Sequence, residues 1–152
     1  MTSSPHSVYP HLFSQISVAG KTLRNRIVHA SMSLRYVGDS KVNDASITYY
    51  KNRALGGVSM AVTEPMGTTR WNIAPRRIQV FNKSNEEGLK KFADVVGNAG
   101  CHMIGQLQDS GRGRHEGGRN MNAIGPSSLP DDLSWTIPHA LTTDEVDTMI
   151  AD

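Results

Sequence analysis

Val58-Ser-Met-Ala-Val-Thr63, then Ser84-Asn-Glu-Glu87 opening a helical run, then Cys101-His-Met-Ile-Gly-Gln-Leu107: the order of these three pieces decides the fold class. The first and third are short apolar runs that read as strands buried on both faces. Between them Leu89, Phe92, Val95, Val96 and Ala99 recur at helical spacing. Ser84 followed by Glu87 has the capping-box spacing, with the hydroxyl taking one orphan amide and the carboxylate reaching back to another. Gly97 and Gly100 bracket the end of that helix. A strand, a covering helix and a second strand make a parallel crossover.

The same grammar extends towards the N-terminus. Arg26-Ile-Val-His-Ala30 reads as an earlier buried strand, and Asn43 or Asp44 can cap a helix carrying Ile47, Tyr50 and Ala54. Gly56-Gly57 supplies its left-handed stop. Before these, Phe13–Leu23 reads as two strand-like pieces around an Ala19-Gly20 turn, a small hairpin. Downstream, 109–140 is a long Gly- and Arg-containing loop. Thr142 with Glu145 forms a second capping box ahead of Val146, Met149 and Ile150. The order is hairpin, β, α, β, α, β, loop, α. Pattern alone leaves a doubly wound sheet and a barrel as equal alternatives.

Composition narrows the class without choosing a function. The 152 residues are 38% hydrophobic and 20% charged, which suits one domain with a real core. No run approaches the ~20 apolar residues of a transmembrane helix, and the N-terminus lacks a secretory pattern. One cysteine, Cys101, excludes an internal disulfide and suits a cytoplasmic location. A formal charge of +2 does not call for nucleic acid or a membrane. The chain ends in a young helix with no stop signal, which reads as a truncation.

Specific strings separate the two architectures. Leu12-Phe-Ser, a turn, and Leu23-Arg-Asn-Arg-Ile-Val28 come first. Tyr49-Tyr50 with Arg53-Ala-x-Gly-Gly-Val58 runs into Val62-Thr63-Glu64. Gly100 through Arg112, Ala123-Ile-Gly-Pro-Ser127 and Leu141-Thr-Thr-Asp-Glu145 follow. Together, in this order over about residues 12–150, they resemble the N-terminal part of old yellow enzyme-like NADH:flavin oxidoreductases, leaning towards the trimethylamine dehydrogenase and N-methyl amino acid demethylase-like branch.

The resemblance implies an α/β fold, the N-terminal portion of a TIM (β/α)8 barrel with a bottom-capping β-hairpin. Residues 1–10 would be a tail and 11–152 the partial barrel. In such a barrel the loops after the strands build the site, here Ala30–Arg35, Glu64–Gly67 and Gln106–Arg112. By resemblance Ser31, Met32 and Ser33 approach a flavin, Pro65 lies near its ring, and the Gln106 carboxamide meets its pyrimidine edge, able to donate and accept there.

The implied cofactor is FMN, bound non-covalently because Ser33 stands where the trimethylamine dehydrogenase-like branch attaches flavin. NAD(P)H would be a reductant, and an iron–sulfur cluster could lie only in a C-terminal part outside this sequence. The implied reaction is hydride transfer through flavin to or from an alkene, amine or N-methyl substrate. The partner is then a small-molecule substrate, with a homo-oligomer for the full-length form.

Three departures stand out. Ser31 replaces the usual proline, Ser33 cannot form a thioether, and Asp109 replaces a histidine. The family's catalytic polar pair and phosphate-holding elements come from later strands, so no catalytic residue is assigned here.

Other chemistry is weaker. His29 and His102 read as structural groups on strands, and Cys101 has no His at nucleophile spacing. No metal-ligand, Walker-type or G-x-S-x-G pattern occurs. Gly111-Arg-Gly-Arg-His-Glu-Gly-Gly-Arg119 looks like an RG-rich nucleic-acid segment, but it is short, contains Glu116 and lacks an aromatic platform. The remaining alternative is a truncated fragment without catalytic activity of its own.

Overall fold

The structure is a computed structural model that describes residues 8–70, 76–113 and 121–151. Residues 1–7 of the expected tail, Pro75, Arg114–Arg119 of the Arg/Gly segment and Asp152 lie outside the described residues.

The chain opens with the expected hairpin, β1 (Ile16–Val18) and β2 (Lys21–Leu23), paired antiparallel with Ile16 opposite Leu23. Its turn needs two residues at positive φ, and Ala19 (47°) and Gly20 (75°) provide them. Next come β3 (Val28–His29), α1 (Asp44–Leu55), β4 (Met60–Val62), α2 (Glu86–Asn98) and β6 (His102–Ile104). Between β4 and α2 lies the two-residue β5 (Met66–Gly67). The three main strands form one parallel sheet in the order β3-β4-β6. The register places Val28, Met60 and His102 side by side, then His29, Ala61 and Met103.

Side chains alternate across this sheet, so its two faces have different fates. His29, Ala61 and Met103 point to the helices. There Ile47, Tyr50 and Ala54 of α1 and Phe92 and Val96 of α2 close a core around Ala61 and Cys101. Tyr50 and Phe92 meet edge to face, with ring centroids 5.2 Å apart. The opposite face carries Val28, 44% exposed, and Ile104, 46% exposed. In a closed barrel that face would be interior, and in this chain it is uncovered.

The Leu23-Arg-Asn-Arg-Ile-Val28 string is a fastening between the hairpin and the start of the sheet. Arg24 donates to the carbonyls of Ala54 (2.6 Å) and Val58 (2.8 Å), and Asn25 donates to that of Gly57 (2.8 Å). Buried Ser59 donates to Asn25 and Ile27 carbonyls at 2.8 and 2.9 Å. The Ala54 and Ile27 carbonyls also accept the Gly57 and Ser59 amides, so the side chains reinforce a backbone link between the end of α1, β4 and this string. The hairpin therefore sits under the N-terminal end of the strands, as a floor.

Local signals work at most helix ends. Asn43 Oδ1 accepts from the Ser46 amide at 3.0 Å, and Gly57 turns at φ 107°. The Thr142–Glu145 box forms at the start of α3 (Thr143–Ala151): the Thr142 amide donates to Glu145 Oε2 at 2.8 Å, and the Glu145 amide to Thr142 Oγ1 at 3.3 Å. The Ser84–Glu87 box does not form. Asn82 Oδ1 captures the Ser84 amide and hydroxyl at 3.1 and 2.8 Å, winding Lys83–Asn85 into a 3-10 turn, and α2 starts after Asn85 with no side-chain cap.

Two further parallel pairs were not expected. β5 pairs with β7 (Leu107–Gln108), and β8 (Ile124–Gly125) pairs with β9 (His139–Ala140) inside the long loop.

Candidate functional site

The expected site residues follow the C-terminal ends of β3, β4 and β6, where a parallel barrel carries its chemistry. Two side chains lace these ends together. Thr63 is buried, and its Oγ1 accepts the Gln106 amide at 3.0 Å while its own amide donates to the Ile104 carbonyl at 2.9 Å. The Met66 amide then donates to the Gln106 carbonyl at 2.9 Å. The backbone of Gln106 is thus held from both sides, against the segment that contains Pro65.

Glu64 makes the second link. It is 1% exposed, and its Oε2 accepts the amides of Leu34 and Arg35, each at 3.3 Å. Arg35 is itself at φ 55°, a conformation that costs a non-glycine residue energy and persists where neighbours hold it. Burial raises the Glu64 carboxyl above its usual 4.5, while the Arg35 and Leu34 amides and the Arg77 guanidinium pull it down. Glu64 Oε1 is buried with no hydrogen-bond partner among the described residues.

Each expected flavin contact can now be located. Ser31 is half-buried, and its Oγ is a buried hydroxyl with no partner among the described residues. Met32 and Ser33 are exposed, Met32 by 56%. Pro65 is half-buried between Glu64 and buried Met66. Gln106 is half-buried; its backbone is fixed by Thr63 and Met66, and its carboxamide has no hydrogen-bond partner among the described residues. Gly105 before it lies against Met66, whose Cε would be 2.9 Å from an added Cβ. Hydrogen bonds therefore bring the segments carrying Ser31–Ser33, Pro65 and Gln106 to one end of the sheet.

Groups that could hold the polar edge of a planar ligand are present: a hydroxyl, a carboxamide and loop backbone. This donor and acceptor set fits a flavin's pyrimidine edge, and no described group of three or more His, Cys, Asp or Glu could hold a metal ion. The cavities lie to one side. One of about 500 Å³ is lined by Thr68, Val80, Leu107, Gln108, Val146 and Met149. Another, of about 470 Å³, lies between Asp109–Gly113 and Ile124–Ser127. Neither includes the five expected contacts, because a three-stranded sheet does not wall in its own inner face.

Other flagged residues are structural. His29 packs edge to face on Tyr49 and Tyr50 and shares a 3.3 Å contact with Tyr49 Oη. Burial, then the Arg53 charge, hold its pKa below 6.5. His102 Nε2 lies 3.3 Å from the Thr22 carbonyl of the hairpin. Burial raises the Cys101 thiol. Asp109, in place of the expected histidine, closes its loop: Oδ1 accepts the Gly111 amide at 2.6 Å and Oδ2 the Thr69 hydroxyl at 3.1 Å. Arg112 donates to the carbonyls of Leu129 and Pro130, which ties the described start of the Arg/Gly segment to the loop. No described helix is long and apolar enough to cross a membrane.

A parallel sheet with a hairpin beneath it and a polar cluster at its C-terminal edge is the arrangement of part of a (β/α) barrel. Comparison with known proteins assigns the family: residues 11–152 match the NADH:flavin oxidoreductase / NADH oxidase family, and the chain belongs to it. A metal reductase of Desulforamulus reducens is 31% identical over 140 residues, covering 92% of this chain and 21% of that protein. An NADPH dehydrogenase of Clostridium acetobutylicum is 29% identical over 142 residues, covering 91% of this chain and 41% of that protein. The chain thus spans between about a fifth and two fifths of these relatives.

Among solved structures, morphinone reductase in complex with tetrahydroNAD superposes with TM-score 0.80 at 21% identity, covering 93% of this chain and 44% of that one. Old Yellow Enzyme from Pichia sp. AKU4542 gives 0.75 at 22% identity, over 91% and 39%. These likenesses show the fold, and the fold present is a partial barrel.

Sequence reasoning missed Thr63 and Glu64 as the organisers of the site. The available signal was a Thr-Glu pair ending an apolar strand, a position where a carboxylate must find donors or lose its charge.

Proposed function

We propose that this chain is the floor and first flavin-holding edge of an FMN-dependent oxidoreductase that uses NAD(P)H and a small-molecule substrate. The observation that carries this reading is the hydrogen-bonded junction of three strand ends, where a carboxamide and a buried hydroxyl have no partner among the described residues. FMN, when bound, supplies hydride transfer, to or from an alkene, amine or N-methyl group. The chain's own residues bind and orient: Gln106 by its carboxamide at the pyrimidine edge, Ser31, Met32 and Ser33 along the ring, and Pro65 beside it. Attachment is non-covalent, since Ser33 has no thiol. Residues 11–152 act as one partial barrel unit, and the polar groups that act on substrate belong to later strands, as would any iron–sulfur cluster. The proposal includes a cytoplasmic location and a homo-oligomeric full-length form, with neither nucleic acid nor a membrane as partner.

The test is Gln106→Ala in the full-length protein. Two hydrogen bonds worth about 0.5–1.5 kcal/mol each correspond to a roughly 5- to 150-fold rise in the FMN Kd. Unchanged flavin affinity and redox potential would count against the assignment.

A second reading rests on the uncovered inner face, with Val28 and Ile104 exposed by 44 and 46%. The chain on its own would then have no catalytic activity and would self-associate. Sedimentation of the isolated chain as a monomer would contradict that reading.

A further inference from the structure

We propose that Glu64 is the positioning residue of the flavin edge: its buried carboxylate grips the Leu34 and Arg35 amides and so fixes where Ser31–Ser33 stands relative to Pro65 and Gln106. This inference rests on the flavin reading above and adds a residue to it.

The case begins with an energetic oddity. A carboxyl that is 1% exposed has lost nearly all its contact with water, yet among the described residues only one of its oxygens has a hydrogen-bond partner. Burial on such terms is costly, and a side chain kept there stabilises something else. What it holds is specific. Leu34 and Arg35 lie 30 and 29 residues away, in a stretch without helix or strand, and the loop bends there through the positive φ of Arg35.

Two consecutive amides on one oxygen fix both the position and the direction of the loop, which one hydrogen bond would not do. Ser31–Ser33 lies between β3, anchored by the sheet, and this grip. The segment is therefore clamped at both ends. On the other side of Glu64, Thr63 holds the Gln106 amide. Two adjacent residues at the end of β4 thus set the two neighbouring segments that carry the expected contacts. Asp is one methylene too short to make the same reach, and Gln keeps an oxygen in place.

The experiment uses the full-length protein and its Glu64→Gln and Glu64→Leu variants, with amide hydrogen exchange and FMN titration as separate readouts. Glu64→Leu is expected to lose protection at Leu34 and Arg35 and to raise the FMN Kd about tenfold or more. Glu64→Gln, which keeps the acceptor without the charge, is expected to restore both to within about threefold of the parent.

Wild-type-like FMN binding in Glu64→Leu overturns the proposal, as does a loss in Glu64→Gln equal to that in Glu64→Leu. If Glu64→Leu does not fold, the parent decides. Its Leu34 and Arg35 amides must then exchange about tenfold more slowly than an unstructured peptide does, and free exchange overturns the grip. The two layers fail separately: a parent with protected amides but no FMN binding sinks the flavin reading, whereas a parent that binds FMN through an unprotected loop sinks the role of Glu64.

Discussion

Replacing Thr63 by Val removes one oxygen and almost no volume, so it isolates the hydrogen bond that holds Gln106. Thr63 is 2% exposed, and its Oγ1 accepts the Gln106 amide at 3.0 Å. Without that oxygen the amide is left unpaired in a half-buried position, a cost of about 1–2 kcal/mol. Swapping the hydroxyl for a methyl returns some of this as apolar burial, up to about 0.8 kcal/mol. The net loss should be about 1 kcal/mol, roughly a fivefold change in the unfolding equilibrium. Urea denaturation with an unchanged m-value would measure it.

Stability alone would not identify the cause, because Thr63→Ser also loses a buried methyl and about as much stability. Exchange at the Gln106 amide separates the two: it should accelerate in Thr63→Val and stay slow in Thr63→Ser. A protected Gln106 amide in Thr63→Val, or equal exposure in both variants, would refute the reasoning.

Three other outcomes are expected. Phe92→Ala empties a site that is 1% exposed and packed against Tyr50; it should cost about 3–5 kcal/mol, and a loss below about 1 kcal/mol by denaturation would contradict the assigned core. His29 has a folded-state pKa lowered by burial and by the Arg53 charge, so the fold favours its neutral form. Its contribution to stability is full above about pH 6.5 and is lost as pH falls through the folded-state pKa, and an NMR titration midpoint above 6.5 would be inconsistent with the packing seen. Cys101 is 3% exposed with its thiol pushed up by burial; at neutral pH a disulfide reagent should modify it only at the rate of unfolding, and rapid labelling of the native protein would contradict this.

How much could be read from the sequence depended on how local each determinant was. The helices were legible because their caps and stripes lie within a few residues: Asn43 with Ser46, Thr142 with Glu145, and Ile47, Tyr50 and Ala54 on one face. The Ser84–Glu87 box misled because Asn82, two residues before Ser84 and so one nearer than Glu87, wins its amide. Asn85 is meanwhile drawn into the interior, accepting from the Val42 amide and donating to the Gln79 carbonyl.

The two-residue pairs β5–β7 and β8–β9 carry no period to detect. At the site, the family strings marked the strand ends and suggested the five expected contacts, but they carried no sign of what joins them. Glu64 meets partners 29 and 30 residues away, and Thr63 one 43 residues away, and only the pairing of the strands makes them neighbours.

The most direct measurement is the structure of the full-length protein crystallised with FMN. The Gln106 side chain should lie within about 3.2 Å of the pyrimidine edge, with Ser31–Ser33 and Pro65 against the ring and Glu64 still bonded to Leu34 and Arg35. A flavin found elsewhere, or a Gln106 carboxamide turned away from it, would contradict the account.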